Sequence, residues 1–493
     1  HDPAAAGHGD HGHGKDEHGG SGHDPVAAGH GDHGHGKDEH GGSGHDPAAA
    51  GHGDHGHGKD EHGGSGHGNH VSGPGAHSVA VGLVSSAVVL PMVMHMALSN
   101  WLVAELTMKM LDTFVSIFLA VLWFNTFSTF MDVFEIRQAF AYAEFFLSAL
   151  QVFVLYGISM AIAWIWRDKT LTMTTFCSIG AHFIAFAGIM AGQAGQRQVA
   201  SSAPEGLDVA ASFLFCGVIV GMLALVSFLA FSLWRKNVTH DALNHAIEHL
   251  ELDILGLVLS FLITQAVRHS IMGRYPPLHV HGMKHEAWHC WFMFGWTVGL
   301  TGIAGVCVPK LGELASMGEW ASRGVRVIKV VLIMLIAWGY LLWGQWAFYE
   351  GFKGDAMFGH MIFAVGSTMV CLMLLYGIAL LQGKVSIKAA RETNEITIMG
   401  ISLTAAWSWE HCFNIAFDVI GQEYQVGFGG LIPKLVLALV IPAVMLPTYV
   451  THIRTRILEI EHREHGHDHG HAESADHHGG GHAESVEEAT AHT

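Results

Sequence analysis

The sequence predicts an all-α integral membrane protein, a polytopic bundle of about ten transmembrane helices between two disordered, histidine-rich tails. Hydrophobic residues make up 50% of the chain and charged residues only 14%, whereas soluble domains carry roughly a quarter charged residues. The charge also lies mostly at the ends. Residues 1–77 hold twelve Asp and Glu against three Lys, and residues 458–493 hold nine against one Arg. These excesses of −9 and −8 account for nearly all of the net charge of −18. Residues 78–457 are therefore a near-neutral, apolar domain, as expected of a chain embedded in lipid.

The N-terminal tail, residues 1–77, begins with three copies of a 22-residue repeat, HDPAAAGHGDHGHGKDEHGGSG, with Val26 as the one change. Each copy has five His and almost no large apolar residue, so it lacks the face on which structural repeats stack. We expect this tail and residues 458–493 to be disordered. Imidazoles among carboxylates bind Zn, Cu or Ni loosely, so the tails are either metal-collecting or pH-sensing arms or plain solvating segments.

Ten apolar segments are long enough to cross a bilayer, which takes about 20 helical residues. They fall at 113–134, 139–166, 172–195, 209–234, 252–273, 287–308, 325–349, 356–382, 396–420 and 431–453. Residues 78–98 would form an eleventh span if they cross, although Pro91 and His95 favour an interfacial or re-entrant role for this segment.

The basic residues predict an orientation. In a ten-span topology thirteen Lys and Arg fall on one side and six on the other, and the positive-inside rule places the richer side, with both tails, in the cytosol or its equivalent. A parallel internal repeat is also expected. At an offset of 220 residues, Leu155-Tyr156-Gly157-Ile158 matches Leu375-Tyr376-Gly377-Ile378, and internal duplication is common in transporters.

The ninth span carries the richest set of polar residues. Glu410, Asn414 and Asp418 recur at i, i+4 and i+8, which places them on one helical face, with His411 beside them. Ionisable residues inside a membrane are costly and point to ion or proton pathways. The alternative is that Glu410 and His411 only pair with groups on neighbouring helices.

The fifth span has a second polar face formed by Ser260, Thr264 and Arg268, with Asp253 at its start. Arg268 is a candidate counter-ion for Glu410 or Asp418, or its long side chain reaches the interface instead. We therefore add Thr264 and Arg268 to the predicted transport pathway.

Histidine clusters flank the fifth span. His245 and His249 lie one turn apart before it, and His281, His285 and His289 repeat every four residues after it. Imidazoles at helical spacing favour a Zn or Cu site. The strings HEAWH and HAIEH also fit the H-E-x-x-H and H-x-x-E-H patterns of zinc proteases, although neither has an evident third ligand. Surface or interfacial histidines are the alternative.

Three functions remain open from the sequence. The first is a channel or secondary transporter for protons or metal cations. The second is a non-catalytic accessory subunit of a larger membrane complex, and the third is a metal-dependent membrane hydrolase or a haem-bearing redox subunit. The lipid bilayer and cations or protons are the expected partners, together with a second copy of the chain or a larger complex. The acidic tails disfavour nucleic acid, and no soluble catalytic motif supports an enzyme.

Overall fold

The computed structural model describes residues 79–87, 91, 104–140, 142–204, 206–233, 240–273, 275, 286–351, 356–382, 388–423 and 428–460. All regular secondary structure in these residues is helical, which confirms the predicted all-α class. The helices are α1 (79–87), α2 (Ala104–Val133), α3 (Ile136–Ala139), α4 (Ala143–Ile165), α5 (Thr170–Ser202), α6 (Asp208–Leu233), α7 (Asp241–Met272), α8 (Ala287–Ala315), α9 (Glu319–Gly351), α10 (Ala356–Gln382), α11 (Lys388–Glu423) and α12 (Leu431–Thr448). A π-helical turn, Tyr449–Arg454, and helical residues 455–460 continue α12.

Five long helices form a closed ring in which each contacts the next: α2, α5, α7, α9, α11 and back to α2. The other long helices lie outside this ring. Helix α4 packs on α5, α6 on α5 and α7, α8 on α9, α10 on α11 and α9, and α12 on α2. Ring and outer helices therefore alternate along the chain, and α11, which carries the predicted polar face, is a ring helix.

Small residues close the ring between α5 and α7. Gly188 and Gly192 form a G-x-x-x-G pair on α5. A Cβ at Gly188 would lie 2.8 Å from Val258 Cγ2, and one at Gly192 would lie 2.7 Å from Leu262 Cδ2. Because these glycines leave no room for a side chain, the two backbones approach closely, as is common between membrane helices.

Aromatic contacts join the other ring interfaces. Trp338 of α9 stacks on Trp407 of α11 with ring centroids 3.9 Å apart, and Phe261 of α7 meets Trp338 edge-on at 5.2 Å. Phe118 of α2 meets Phe413 of α11 at 4.8 Å, and the α2–α5 interface has a similar pair. Stacked and edge-to-face rings supply large apolar contact with specific geometry, so these pairs fix the positions of the ring helices.

The outer helices expose apolar side chains, among them Phe153, Leu214, Trp291, Met373 and Leu439. The most apolar stretches of α2, α5, α7 and α9 are 56–78% buried inside the protein, whereas those of α4, α8, α10 and α12 are only 11–28% buried. Bare apolar faces around a buried ring are the arrangement expected in lipid. The chain is thus a multi-pass membrane protein.

Eight helices among the described residues are long and apolar enough to cross a membrane. They correspond to eight of the ten predicted spans. Helix α6, the predicted span 209–234, qualifies only as a shorter apolar helix over Asp208–Leu223. Helix α11, the predicted span 396–420, is not among the eight, because polar residues dilute its hydropathy. A count of ten spans and the parallel repeat stay predictions.

The predicted tails, residues 1–77 and most of 458–493, lie outside the described residues. So does most of segment 78–98. Its residues 79–87 are helical and bury Ala80, Leu83, Val84 and Ala87 in the main hydrophobic core. This part of the segment therefore packs on the bundle.

Candidate functional site

Glu410 is the innermost carboxylate of the polar face of α11. The residue is 9% exposed, with some access left to its carboxylate oxygens, and its side chain makes no hydrogen bond to any described residue. Its nearest basic group is the imidazole of His411, with Nδ1 at 3.7 Å from Oε2. Within the described part of the chain no other basic group lies within 4.0 Å of this carboxylate. Among the described residues, Glu410 is thus a buried carboxylate with one ionic neighbour, the His411 imidazole.

The histidine beside Glu410 reaches a second histidine on another helix. The His411 ring lies 5.2 Å from the ring of His360, which is near the start of α10, and the two planes are tilted by 56°. The His411 side chain is 27% exposed, so it is the more accessible of the Glu410–His411 pair. A carboxylate followed by two imidazoles is a set of groups that can each accept and release a proton.

One turn further along α11, Asn414 is paired across the ring. The amide nitrogen of Asn125, on α2, donates to the amide oxygen of Asn414, and both residues are buried. A side-chain amide carries both donors and an acceptor, so this pair continues the polar face of α11 between two apolar helices.

The polar face ends in an ion pair between α11 and α12. Lys434 Nζ lies 2.6 Å from Asp418 Oδ1 and donates to Thr129 Oγ1 of α2 at 2.9 Å. The lysine stem passes over Gly421, where a Cβ would lie 2.6 Å from Lys434 Cε. Gly430, with φ of 83°, in turn packs on the backbone of Gly421. Two glycines thus let a lysine enter the bundle close to the start of α12.

Thr264 and Arg268, the other members of the predicted pathway, are buried on α7 together with Ser260. Thr264 Oγ1 donates to the Ser260 carbonyl at 2.7 Å, which is a local helix contact. Arg268 Nη1 donates to Gln265 Oε1 at 2.9 Å. No ion pair joins Arg268 to any carboxylate among the described residues. Asp418 is paired with Lys434, so the structure does not bring the two polar faces together through a salt bridge.

The predicted metal ligands are only partly described. His281 and His285 lie outside the described residues. The rings of His245 and His249 are 4.5 Å apart, but Glu248 between them forms an ion pair with Arg326 of α9. His289 accepts a hydrogen bond from the backbone N–H of Glu286 at 3.2 Å. Among the described residues no three His, Cys, Asp or Glu side chains are grouped to hold a metal ion.

Two buried ion pairs were not anticipated. Asp112 of α2 accepts hydrogen bonds from Arg454 Nη1 at 2.8 Å and from the Tyr449 hydroxyl at 2.5 Å. Glu251 of α7 is 2.5 Å from Arg323 of α9 and accepts from a tyrosine of α4. Asp112 and Arg454 lie 342 positions apart in the chain, so no local sequence pattern indicates this pair.

Comparison of the chain with protein-family models, with curated proteins and with solved structures found no match.

Proposed function

We propose that the protein is a membrane transport protein for protons, with Glu410 and His411 as the groups that carry the proton through the helix bundle. The observation that supports this most directly is the environment of Glu410. Its carboxylate is buried in a ring helix, and among the described residues it makes no hydrogen bond and has one ionic neighbour, the His411 imidazole. A buried charge that only stabilised the fold would be paired and hydrogen-bonded.

The residues beyond Glu410 extend this path in two directions. On one side, His411 contacts the His360 ring, so a proton can pass from carboxylate to imidazole to imidazole after small side-chain rotations. On the other side, Asn414 and Asp418 follow at one-turn intervals, and Asp418 is held by Lys434. Groups from α2, α10 and α12 thus meet the polar face of α11, which makes this helix the centre of the proposed pathway.

Protons fit the described residues better than metal cations do. A metal ion needs several ligands at once, and no group of three His, Cys, Asp or Glu is placed for this among the described residues. A proton needs only one titratable group at a time. The histidine-rich tails and the clusters at His245, His249, His281, His285 and His289 would then concentrate or sense the transported ion outside the bundle.

The test is proton flux into vesicles that contain the purified full chain and a pH-sensitive dye. A potassium diffusion potential drives proton entry, and wild-type protein is expected to acidify the lumen. Glu410→Gln keeps the size of the side chain and removes its titratable carboxyl group, so acidification should fall to the rate of protein-free vesicles. Glu459→Gln is the matched control, because Glu459 lies on the surface, 51% exposed, where it pairs with the exposed Arg456. Equal flux in wild type and Glu410→Gln would refute the assignment.

An accessory subunit of a larger membrane complex is the second candidate, and a specific observation favours it. Most buried charges other than Glu410 pair across helices, as Asp112 does with Arg454, Glu251 with Arg323 and Asp418 with Lys434. Such pairs can serve helix packing alone. Co-purification with other subunits at fixed stoichiometry, together with no flux from the isolated chain, would support this function over transport.

A further inference from the structure

A second group of buried polar side chains lies where α5 ends, α6 begins and α7 ends, away from Glu410. At its centre is Arg268, which is 4% exposed. Its Nη1 donates to Gln265, but Nε and Nη2 have no hydrogen-bond partner in the described chain. No carboxylate of the described residues lies within 4.0 Å of the guanidinium. Arginine keeps its charge in proteins, so a full positive charge is buried here with no carboxylate of the described residues in contact with it.

The neighbouring histidine does not supply that compensation. His269 Nε2 lies 2.7 Å from Asp208 Oδ2 of α6, so the carboxylate is already used by the imidazole. The other ring nitrogen, Nδ1, is buried and has no partner among the described residues. The Asp208 carboxylate is therefore held by the imidazole, and it makes no contact with the guanidinium of Arg268.

Three more residues of the cluster have polar atoms without partners in the described structure. Gln196 of α5 donates through Nε2 to the carbonyls of Leu262 and Ser212, at 3.1 Å and 3.3 Å, which places α6 and α7 against it. Its Oε1 has no partner, and neither does the Ser212 hydroxyl. The third atom is the Tyr275 hydroxyl, and the Tyr275 ring lies 5.2 Å from the His269 ring.

Tyr275 lies near several members of the cluster. Its hydroxyl faces the Ser212 hydroxyl, and it lies close enough to Arg268, Cys216 and Arg197 to interact with them electrostatically. The contact between the two hydroxyls does not meet hydrogen-bond geometry, and even if they bond to each other, one of the two protons is left for another acceptor. Burial raises the pKa of the Tyr275 phenol above its usual range, so the hydroxyl keeps its proton and can donate a hydrogen bond. Buried polar groups in native proteins almost always have partners. Several orphaned atoms around one buried cation therefore indicate a missing ligand rather than scattered defects.

We propose that Arg268, Ser212 and Tyr275, between α5, α6 and α7, bind a small monovalent anion, either a halide or a carboxylate. The guanidinium and the two hydroxyls are all donors, as an anion requires. A single guanidinium that no described carboxylate contacts calls for one negative charge, which disfavours a dianion such as phosphate. The acceptor Oε1 of Gln196 suits a water molecule bound beside the anion. Because the site uses other helices, it does not rest on the proposed proton pathway.

The test compares anions by thermal unfolding of the purified full chain in neutral detergent. Sodium chloride, sodium formate and sodium gluconate are used at equal ionic strength, since gluconate is too large for a buried site. A ligand that binds the folded state stabilises it by mass action. We therefore expect the Tm of the wild type to rise with chloride or formate concentration relative to gluconate. A larger rise in Tm with chloride would indicate a halide site, and a larger rise with formate would indicate a carboxylate site.

Arg268→Met should abolish this rise, and in gluconate it should be at least as stable as the wild type, because it removes a buried charge that no described carboxylate contacts. Arg456→Met, at an exposed arginine paired with Glu459, should keep the wild-type response. Tyr275→Phe removes one donor and leaves the charge, so it should raise the Kd for the anion, measured by calorimetry, roughly tenfold. A wild-type Tm that is the same in all three salts would overturn the proposal, and so would an unchanged Kd in Tyr275→Phe. Glu410→Gln should retain the anion response.

Discussion

The ion pair between Asp112 and Arg454 should be a major contributor to stability, because it joins α2 to the π-helical turn after α12. The two side chains are 15% and 9% exposed. Asp112 also accepts the Tyr449 hydroxyl, so each carboxylate oxygen has one donor. Asp112→Asn keeps the size of the side chain and an acceptor for Tyr449, but it leaves the guanidinium of Arg454 without its counter-charge.

The expected magnitude follows from this burial. Exposed ion pairs contribute roughly 0.2–1 kcal/mol, whereas removal of one member of a buried pair costs roughly 3–5 kcal/mol. With both side chains nearly buried, we expect Asp112→Asn to lower the free energy of unfolding by about 3 kcal/mol. Removing both charges, in Asp112→Asn with Arg454→Met, should cost less than the sum of the two single changes by about 2 kcal/mol.

The assay is unfolding in mixed micelles with increasing sodium dodecyl sulfate, followed by tryptophan fluorescence. The matched control is Glu459→Gln, which breaks a pair with Arg456 whose two side chains are both more than half exposed. It should lower the free energy of unfolding by less than about 1 kcal/mol. If Asp112→Asn costs no more than Glu459→Gln, or if the double variant shows no coupling, the pair is not the stabilising contact that the structure indicates.

Two further changes test the bundle itself in the same assay. Asp418→Asn should lower the free energy of unfolding by about 2 kcal/mol, because it removes the carboxylate that pairs with the buried amine of Lys434. Adding Lys434→Met should restore part of this free energy. If it restores none, the pairing is contradicted. Gly192→Leu inserts a side chain where even a Cβ would lie 2.7 Å from Leu262, so α5 and α7 must separate at a cost of roughly 1–3 kcal/mol. Gly157→Leu, where a Cβ meets nothing within 4 Å, should be nearly neutral, and equal losses at both glycines would argue against close α5–α7 packing.

The all-α membrane class and the polar face of α11 could be predicted because both depend on local pattern. Apolar runs of sufficient length specify helices, and the i, i+4, i+8 spacing places Glu410, Asn414 and Asp418 together whatever surrounds them. The partners of these residues could not be predicted. Asn125 meets Asn414 across 289 positions, and periodicity identifies a helical face but not the helix that it meets.

Lys434 is a buried residue whose position in the sequence indicates a partner. It is the fourth residue of the apolar run that begins directly after Gly429 and Gly430, where a lysine is costly. That position marks it as a residue with a buried partner, but the end of the preceding helix offers two acids, Asp418 and Glu423, between which the sequence does not choose. The closed ring, by contrast, depends on glycine contacts and aromatic pairs between distant helices, for which a single sequence gives no direct signal.

The central claim, that this chain moves protons through Glu410, is tested most directly by the ion selectivity of the purified protein in vesicles. Wild-type protein should collapse an imposed pH gradient faster than protein-free vesicles do. The rate should be unchanged when the concentration of Na⁺, K⁺ or Zn²⁺ outside is varied. Vesicles with Glu410→Gln should hold the pH gradient as well as protein-free vesicles do. Wild-type vesicles that hold the pH gradient as well as protein-free vesicles do, or that collapse it equally fast with Glu410→Gln, would contradict the account.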